Sequence, residues 1–148
     1  MASDVSVPGG IIRWRLYLPA AAARVFDALA TDAGRAAFWA ESAIEREGAV
    51  HFRFINGATE VAHILARERP HRFALEYFGS PAEFLLAAAG PDATDLTLTQ
   101  NGVAMAEWHA VHAGWLNVLL PLKAWLVHGV DLRNHDAART WDQGYADQ

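Results

Sequence analysis

Between Ile11 and Leu18 the chain alternates, with Ile12, Trp14, Leu16 and Leu18 on one side and Arg13, Arg15 and Tyr17 on the other. A period of two marks a strand with one buried face. Pro19 then stands where a first helical turn tolerates a missing N–H. The run AAAARVFDALA supplies strong helix formers, with Val25, Phe26 and Leu29 on one face, so a short helix is expected. Thr31 or Asp32 can cap a second helix, ending near Phe38 and Trp39.

From Glu41 to Gly102 the texture predicts six strands: Ser42 to Glu47, the AVHFRFI run, Thr59 to Arg67, Phe73 to Phe78, Glu83 to Ala89, and Asp95 to Gln100. Val50, Phe52 and Phe54 alternate with His51 and Arg53, as Leu96 and Leu98 do with Thr97 and Thr99. Asn56-Gly57 is the strongest hairpin signal, because a type I′ turn needs positive φ at both central residues. Pro70, Gly79-Ser80-Pro81 and Gly90-Pro91-Asp92 mark the other turns. Successive hairpins make an antiparallel meander.

After Asn101-Gly102 the period becomes helical: Trp108, Val111, Trp115, Val118, Leu119, Leu122 and Leu126 form a broad apolar stripe to about His128. Pro121 is expected to kink this helix or mark a join, and Gly129 to end it. Strand, two short helices, six strands and one long helix give an α+β domain in which a seven-stranded sheet buries one face against that helix. Residues 1–148 are taken as one domain, with a core of about 11–128 and an extension over 129–148.

Composition narrows the function. A formal charge of −5, with eleven Arg and one Lys spread thinly, argues against nucleic acid. Zero cysteines exclude disulfides and thiolate chemistry and fit a reducing cytoplasm. The start MASDVSVPGG has neither a basic nor an apolar region of the kind a signal peptide needs. Val103 to Val127 carries Glu107, His109, His112, Asn117, Pro121 and Lys123, so no membrane span is expected.

The order of elements, the tryptophan closing the second short helix, the Gly48-to-Phe54 strand entry, the Asp95-Leu-Thr-Leu-Thr-Gln-Asn-Gly run and GWLNVLLPLKAWLVHG together resemble the SRPBCC (START-like) superfamily. Within it the chain is similar to bacterial homologues of the C-terminal domain of the heat-shock-protein-90 ATPase activator. The resemblance covers about Ile11 to His128 and implies a helix-grip fold, a curved sheet around a long helix with a hydrophobic cavity. The uses it implies are varied: carriage of lipid or aromatic ligands, polyketide cyclisation, stress response and chaperone stimulation. Its motifs specify fold and leave the chemistry open.

The residues themselves offer little catalytic machinery. His109 and His112 share a helix face without a third ligand, so neither a metal nor another cofactor is expected. There is no nucleophile elbow, P-loop or dinucleotide fingerprint. Glu60, Glu76 and Glu83 could face inward, and strand parity leaves this open.

Six tryptophans are the heavier signal, since flat rings with one polar atom suit an apolar pocket as well as a core. The expected cavity wall is Trp14, Leu16, Phe52, Phe54, Trp108, Val111, His112, Trp115 and Leu119. The expected function is non-enzymatic binding of a small hydrophobic, aromatic or lipid-like molecule. The alternatives are a cofactor-independent cyclase or hydrolase using His112 or an inward Glu, and a chaperone-stimulating interaction module. A homodimer through sheet or tail is reasonable. The tail residues Asp131, Arg133, Asn134 and His135 are expected to form a structured extension.

Overall fold

In a computed structural model of the chain, residues 9–146 are described. The polar leader at 1–8, where the signal-peptide question lies, and the last two residues of the tail fall outside them. The elements run β1 (Gly9–Leu18), α1 (Ala22–Ala30), α2 (Asp32–Phe38), β2 (Ser42–Arg46), β3 (Ala49–Arg53), β4 (Thr59–Glu68), β5 (Arg72–Tyr77), β6 (Ser80–Ala88), β7 (Thr94–Ala104), α3 (Trp108–Gly114) and α4 (Leu116–His128). Three-residue 3-10 turns precede α3 at Met105–Glu107 and close the tail at Trp141–Gln143.

The strands form one antiparallel sheet in the order β1-β7-β6-β5-β4-β3-β2. This is the α+β arrangement expected from the element order and the helix-grip fold that the resemblance implies. Alternation decides which side each residue faces. Trp14 lies opposite Leu98, which lies opposite Phe84, and Leu16 opposite Leu96, opposite Leu86. These rows build the concave face, on which the inner side of α4 rests through the buried Val118, Leu119, Leu122 and Leu126. Arg24 of α1 adds a hydrogen bond to the Leu126 carbonyl at 3.2 Å, anchoring the far end of α4.

Four local expectations are corrected. Pro19 lies before α1 instead of inside it, because β1 runs to Leu18. Asn56-Gly57 is not a type I′ pair, since only Gly57 has positive φ. Gly57 N–H donates to the Phe54 carbonyl, and Phe54 N–H to that of Ala58, so the loop is one residue longer. The two-residue turns with both φ positive are Glu47-Gly48 and Phe78-Gly79, where a non-glycine residue accepts the left-handed conformation.

The third correction concerns β7, which does not stop at Gln100. It continues through Asn101-Gly102 to Ala104, because Gly9 and Gly10 of β1 extend the pairing. The fourth concerns the covering helix. The join falls at Trp115, between α3 and α4, while Pro121 sits buried inside α4. The Val118 N–H donates to the Trp115 carbonyl three residues back, a local tightening between two helical segments, while the Trp115 and Leu119 N–H groups keep the ordinary four-residue bonds.

By length and hydropathy Met105–His128 could cross a bilayer. It is split at Trp115, and the inner side of its second half is part of the core.

Candidate functional site

The centre of the concave face is aromatic. Trp39, placed by the end of α2, meets Phe52 at 5.0 Å, Tyr77 at 5.6 Å, Phe84 at 5.8 Å and Trp115 at 6.3 Å between ring centroids. Trp115 also lies 5.2 Å from Tyr77 and 5.8 Å from Phe84.

The two indole N–H groups and the Gln100 amide find partners within the cluster, as burial requires. Trp39 Nε1 donates to Tyr77 Oη at 3.2 Å and Trp115 Nε1 to Gln100 Oε1 at 2.8 Å. Gln100 Nε2 in turn donates to the carbonyls of Tyr77 and Ser80. Burial pushes the Tyr77 hydroxyl well above the usual phenol range, so it stays protonated.

Next to this cluster, at the β1–β7 end of the sheet, stands α3, and its side chains are a cover instead of a core. Neither the Met105–Glu107 turn nor α3 contains a buried residue. What holds the segment down is ring stacking on β1. The His112 imidazole lies between two indoles, 4.4 Å from Trp14 with planes 21° apart and 4.5 Å from Trp108 with planes 12° apart. Trp14 Nε1 donates to the His112 carbonyl and Trp108 Nε1 to that of Ile11, each at 3.0 Å. Gly10 makes the approach possible, because a Cβ there would stand 2.6 Å from Trp108 Cδ1 and 3.0 Å from Met105 Sδ.

The nine expected wall residues therefore divide. Phe52, Trp115 and Leu119 are buried. Trp14, Leu16, Phe54, Trp108 and Val111 pack partly buried around that core, and His112 joins them through the stack. Phe54 lies parallel to Phe52 at 5.7 Å.

Two clefts lie elsewhere, at the tail. One, about 260 Å³, runs between α4 and the tail, with apolar walls from Leu116, Leu120, Pro121 and Leu132 and polar ones from Asn117, Arg133 and Asn134. The other, about 20 Å³, is bordered by Trp39, Phe54 and Arg133 among others. Of the nine, only Phe54 lines either.

Sequence reasoning left Trp39, Tyr77 and Gln100 out of the site. Parity could have found two of them: Tyr77 continues the Phe73–Leu75 row, and Gln100 the Leu96–Leu98 row.

Strand register also settles the three glutamates. Glu60 lies opposite the inward Phe52, so it belongs to the concave side, where its Oε2 accepts from the Phe78 N–H at 2.6 Å. That bond supports the positive-φ turn. Glu83 pairs with Arg72 at 2.5 Å, and Glu76 is exposed on the outer face. His109 meets the Trp108 ring edge-on. Among the described residues no cluster of three or more His, Asp or Glu is placed to hold a metal ion.

The tail is folded back over the molecule from Gly129. Arg133 donates to the Ala40 carbonyl at 2.7 Å and clasps Asp131 through two nitrogens. His135 sits between Asp131 at 2.8 Å and Glu41 at 3.2 Å. Asn56 reaches Asp142, and Asn117 donates to the Ala146 carbonyl. The Arg133 hydrogen bonds, then the one from His135, hold the Asp131 carboxyl well below the usual carboxylate range.

No family model and no curated protein matches the chain. Solved structures do. The protein SSP2350 from Staphylococcus saprophyticus is 22% identical, with a TM-score of 0.72 over 84% of this chain and 96% of that one. The Aha1 dimer from Colwellia psychrerythraea is 21% identical, with a TM-score of 0.72 over 81% and 98%. DynU16, of the dynemicin biosynthetic locus, is 20% identical, with a TM-score of 0.70 over 84% of this chain and 50% of that one. Identities this low show a shared fold: the chain has the same helix-grip fold as these structures.

Proposed function

We propose that this chain binds a small, flat, apolar or aromatic molecule without transforming it, and takes it between α3 and the concave face. The carrying observation is the join at Trp115: the half of the covering helix before it has no fully buried residue, while Trp115 itself packs on Trp39 and Tyr77 in the most aromatic part of the core. Segments with few buried contacts open locally before the rest of a fold does. Opening would leave Trp14, Leu16, Phe52, Phe54, Trp115 and Leu119 on the fixed side and Trp108, Val111 and His112 on the moving one. That wall is mostly apolar with a few placed polar atoms, as ligand pockets are.

The spacing of the indoles around His112 is that of a slot for one planar ring. The likeness to a protein of a biosynthetic locus is in keeping with a small-molecule ligand. A catalytic use of the same space has less to draw on, since Glu60 is engaged by a backbone N–H and His112 is stacked. We also place the chain in a reducing compartment, on its lack of cysteine.

The test is titration with fluorene, followed by quenching of tryptophan fluorescence. Saturable binding of one equivalent is expected. Unquenched emission up to the solubility limit would overturn the reading.

A second reading, contact with another protein molecule, is favoured by the outer side of α4 and the start of the tail, where Leu120, Trp125, Val130 and Leu132 are exposed. One similar structure is an Aha1 dimer. A homodimer should sediment as such at micromolar concentration, and Leu120→Asp should dissociate it. A chaperone contact would use the same face, and Leu120→Asp should abolish co-sedimentation with the chaperone.

A further inference from the structure

Tyr77 carries a buried proton donor for which the described residues supply no acceptor. Its side chain is 9% exposed, enclosed by Trp39, Phe52 and Trp115. The hydroxyl oxygen is already used, accepting the Trp39 indole N–H at 3.2 Å. A phenol can both accept and donate, and here only the accepting half is engaged by the protein. The hydroxyl stays neutral, because burial disfavours the phenolate. The bond it accepts from Trp39 polarises the O–H and makes it a better donor.

Every other polar side-chain atom of this cluster has a protein partner: Trp115 Nε1 on Gln100 Oε1, and Gln100 Nε2 on the Tyr77 and Ser80 carbonyls. Those bonds fix the base of the cluster and leave the Tyr77 hydroxyl, on a ring 5.2 Å from that of Trp115, as its one uncommitted donor among the described residues. Buried donors without partners are rare, and each asks for an explanation.

We infer that Tyr77 Oη is the polar anchor of the ligand site and donates to an acceptor oxygen on the bound molecule, so the ligand class is a flat aromatic ketone, quinone or similar ring carbonyl. This rests on the proposed ligand-binding function and refines it. An apolar slot alone would not distinguish a hydrocarbon from its carbonyl analogue except by refusing the latter, since a ring carbonyl loses its water on entry. With Tyr77 in place that loss is made good. The neutral phenol also selects an uncharged acceptor, because among the described residues no cationic side chain belongs to the cluster to balance a carboxylate or phosphate.

The experiment compares fluorene with 9-fluorenone, which differ only in the ring carbonyl, by quenching of tryptophan fluorescence in the intact chain. The native protein is expected to bind fluorenone at least as tightly as fluorene. Tyr77→Phe is expected to weaken fluorenone by roughly tenfold while leaving fluorene within about twofold, the size of a lost hydrogen bond to a buried acceptor. Fluorene also reports whether the variant is still folded.

The carbonyl stretching band of fluorenone bound to the native protein supplies a check that needs no variant. It should shift to lower frequency than in a hydrocarbon solvent. Fluorene binding with fluorenone much weaker in the native protein, an equal effect of Tyr77→Phe on both probes, or an unshifted carbonyl band would overturn the anchor and leave the binding function standing. Failure of both probes to bind would remove both.

Discussion

Trp115 donates its indole N–H to Gln100 Oε1 at 2.8 Å, so the residue at the break of the covering helix is tied to the floor of the sheet. The half of the helix after it is core and the half before it is cover. Trp115→Ala should therefore act twice. It should cost about 3–5 kcal/mol, the usual loss for a buried large aromatic, and should open volume beneath α3. Denaturant melts paired with fluorene titration check this. A stability loss without any gain in probe affinity would mean that Trp115 is packing alone.

Gly10→Ala tests the cover from the other side. Its Cβ would press on the Trp108 ring and Met105 Sδ, both on the segment that must move. The expected result is faster hydrogen exchange in residues 105–114, unchanged exchange in α4, and faster probe association. Uniform destabilisation of the whole chain would show that α3 is no independent unit.

Much of this architecture was legible because alternation and the 3.6 period are local. Ile12–Leu18 and Leu96–Leu98 declared their inward faces, and Val118–Leu126 declared the gripped helix. What escaped depended on residues distant in sequence. Gly9 and Gly10 lengthen β7 only once β1 is beside it. The stack of His112 between Trp14 and Trp108 joins two ends of the chain. The helix break was sought at Pro121, where the sequence carries the usual breaker, yet it falls at Trp115, whose side chain is drawn to Gln100. Likewise Asn56-Gly57 has the composition of a tight turn, while Glu47-Gly48 has the conformation.

That last mismatch gives a prediction on stability. Glu47 holds φ 52 at an exposed turn position, where Asn is better tolerated. Glu47→Asn should stabilise the chain by roughly 0.5–1 kcal/mol, a share of the left-handed penalty. Chemical denaturation measures it, and a loss of stability would contradict the turn assignment.

The tail has its own pH response. The folded Asp131 carboxyl sits below its ordinary value, so its contribution is present above about pH 4, the unfolded range, and is lost as pH falls toward the folded value. Asp131→Asn should lower the melting temperature at neutral pH, and the gap to the native protein should close below about pH 4. A gap that stays constant from pH 6 to pH 2.5 would separate Asp131 from tail docking.

The central claim is that a poorly anchored α3 covers a ligand-accepting interior. Hydrogen exchange along residues 105–128, with and without saturating 9-fluorenone, addresses it directly. In the free protein, exchange should be faster in 105–114 than in 116–128 by a wide margin, and the probe should slow the first segment while leaving the second nearly unchanged. Equal protection in both halves, unaltered by the probe, would contradict the account.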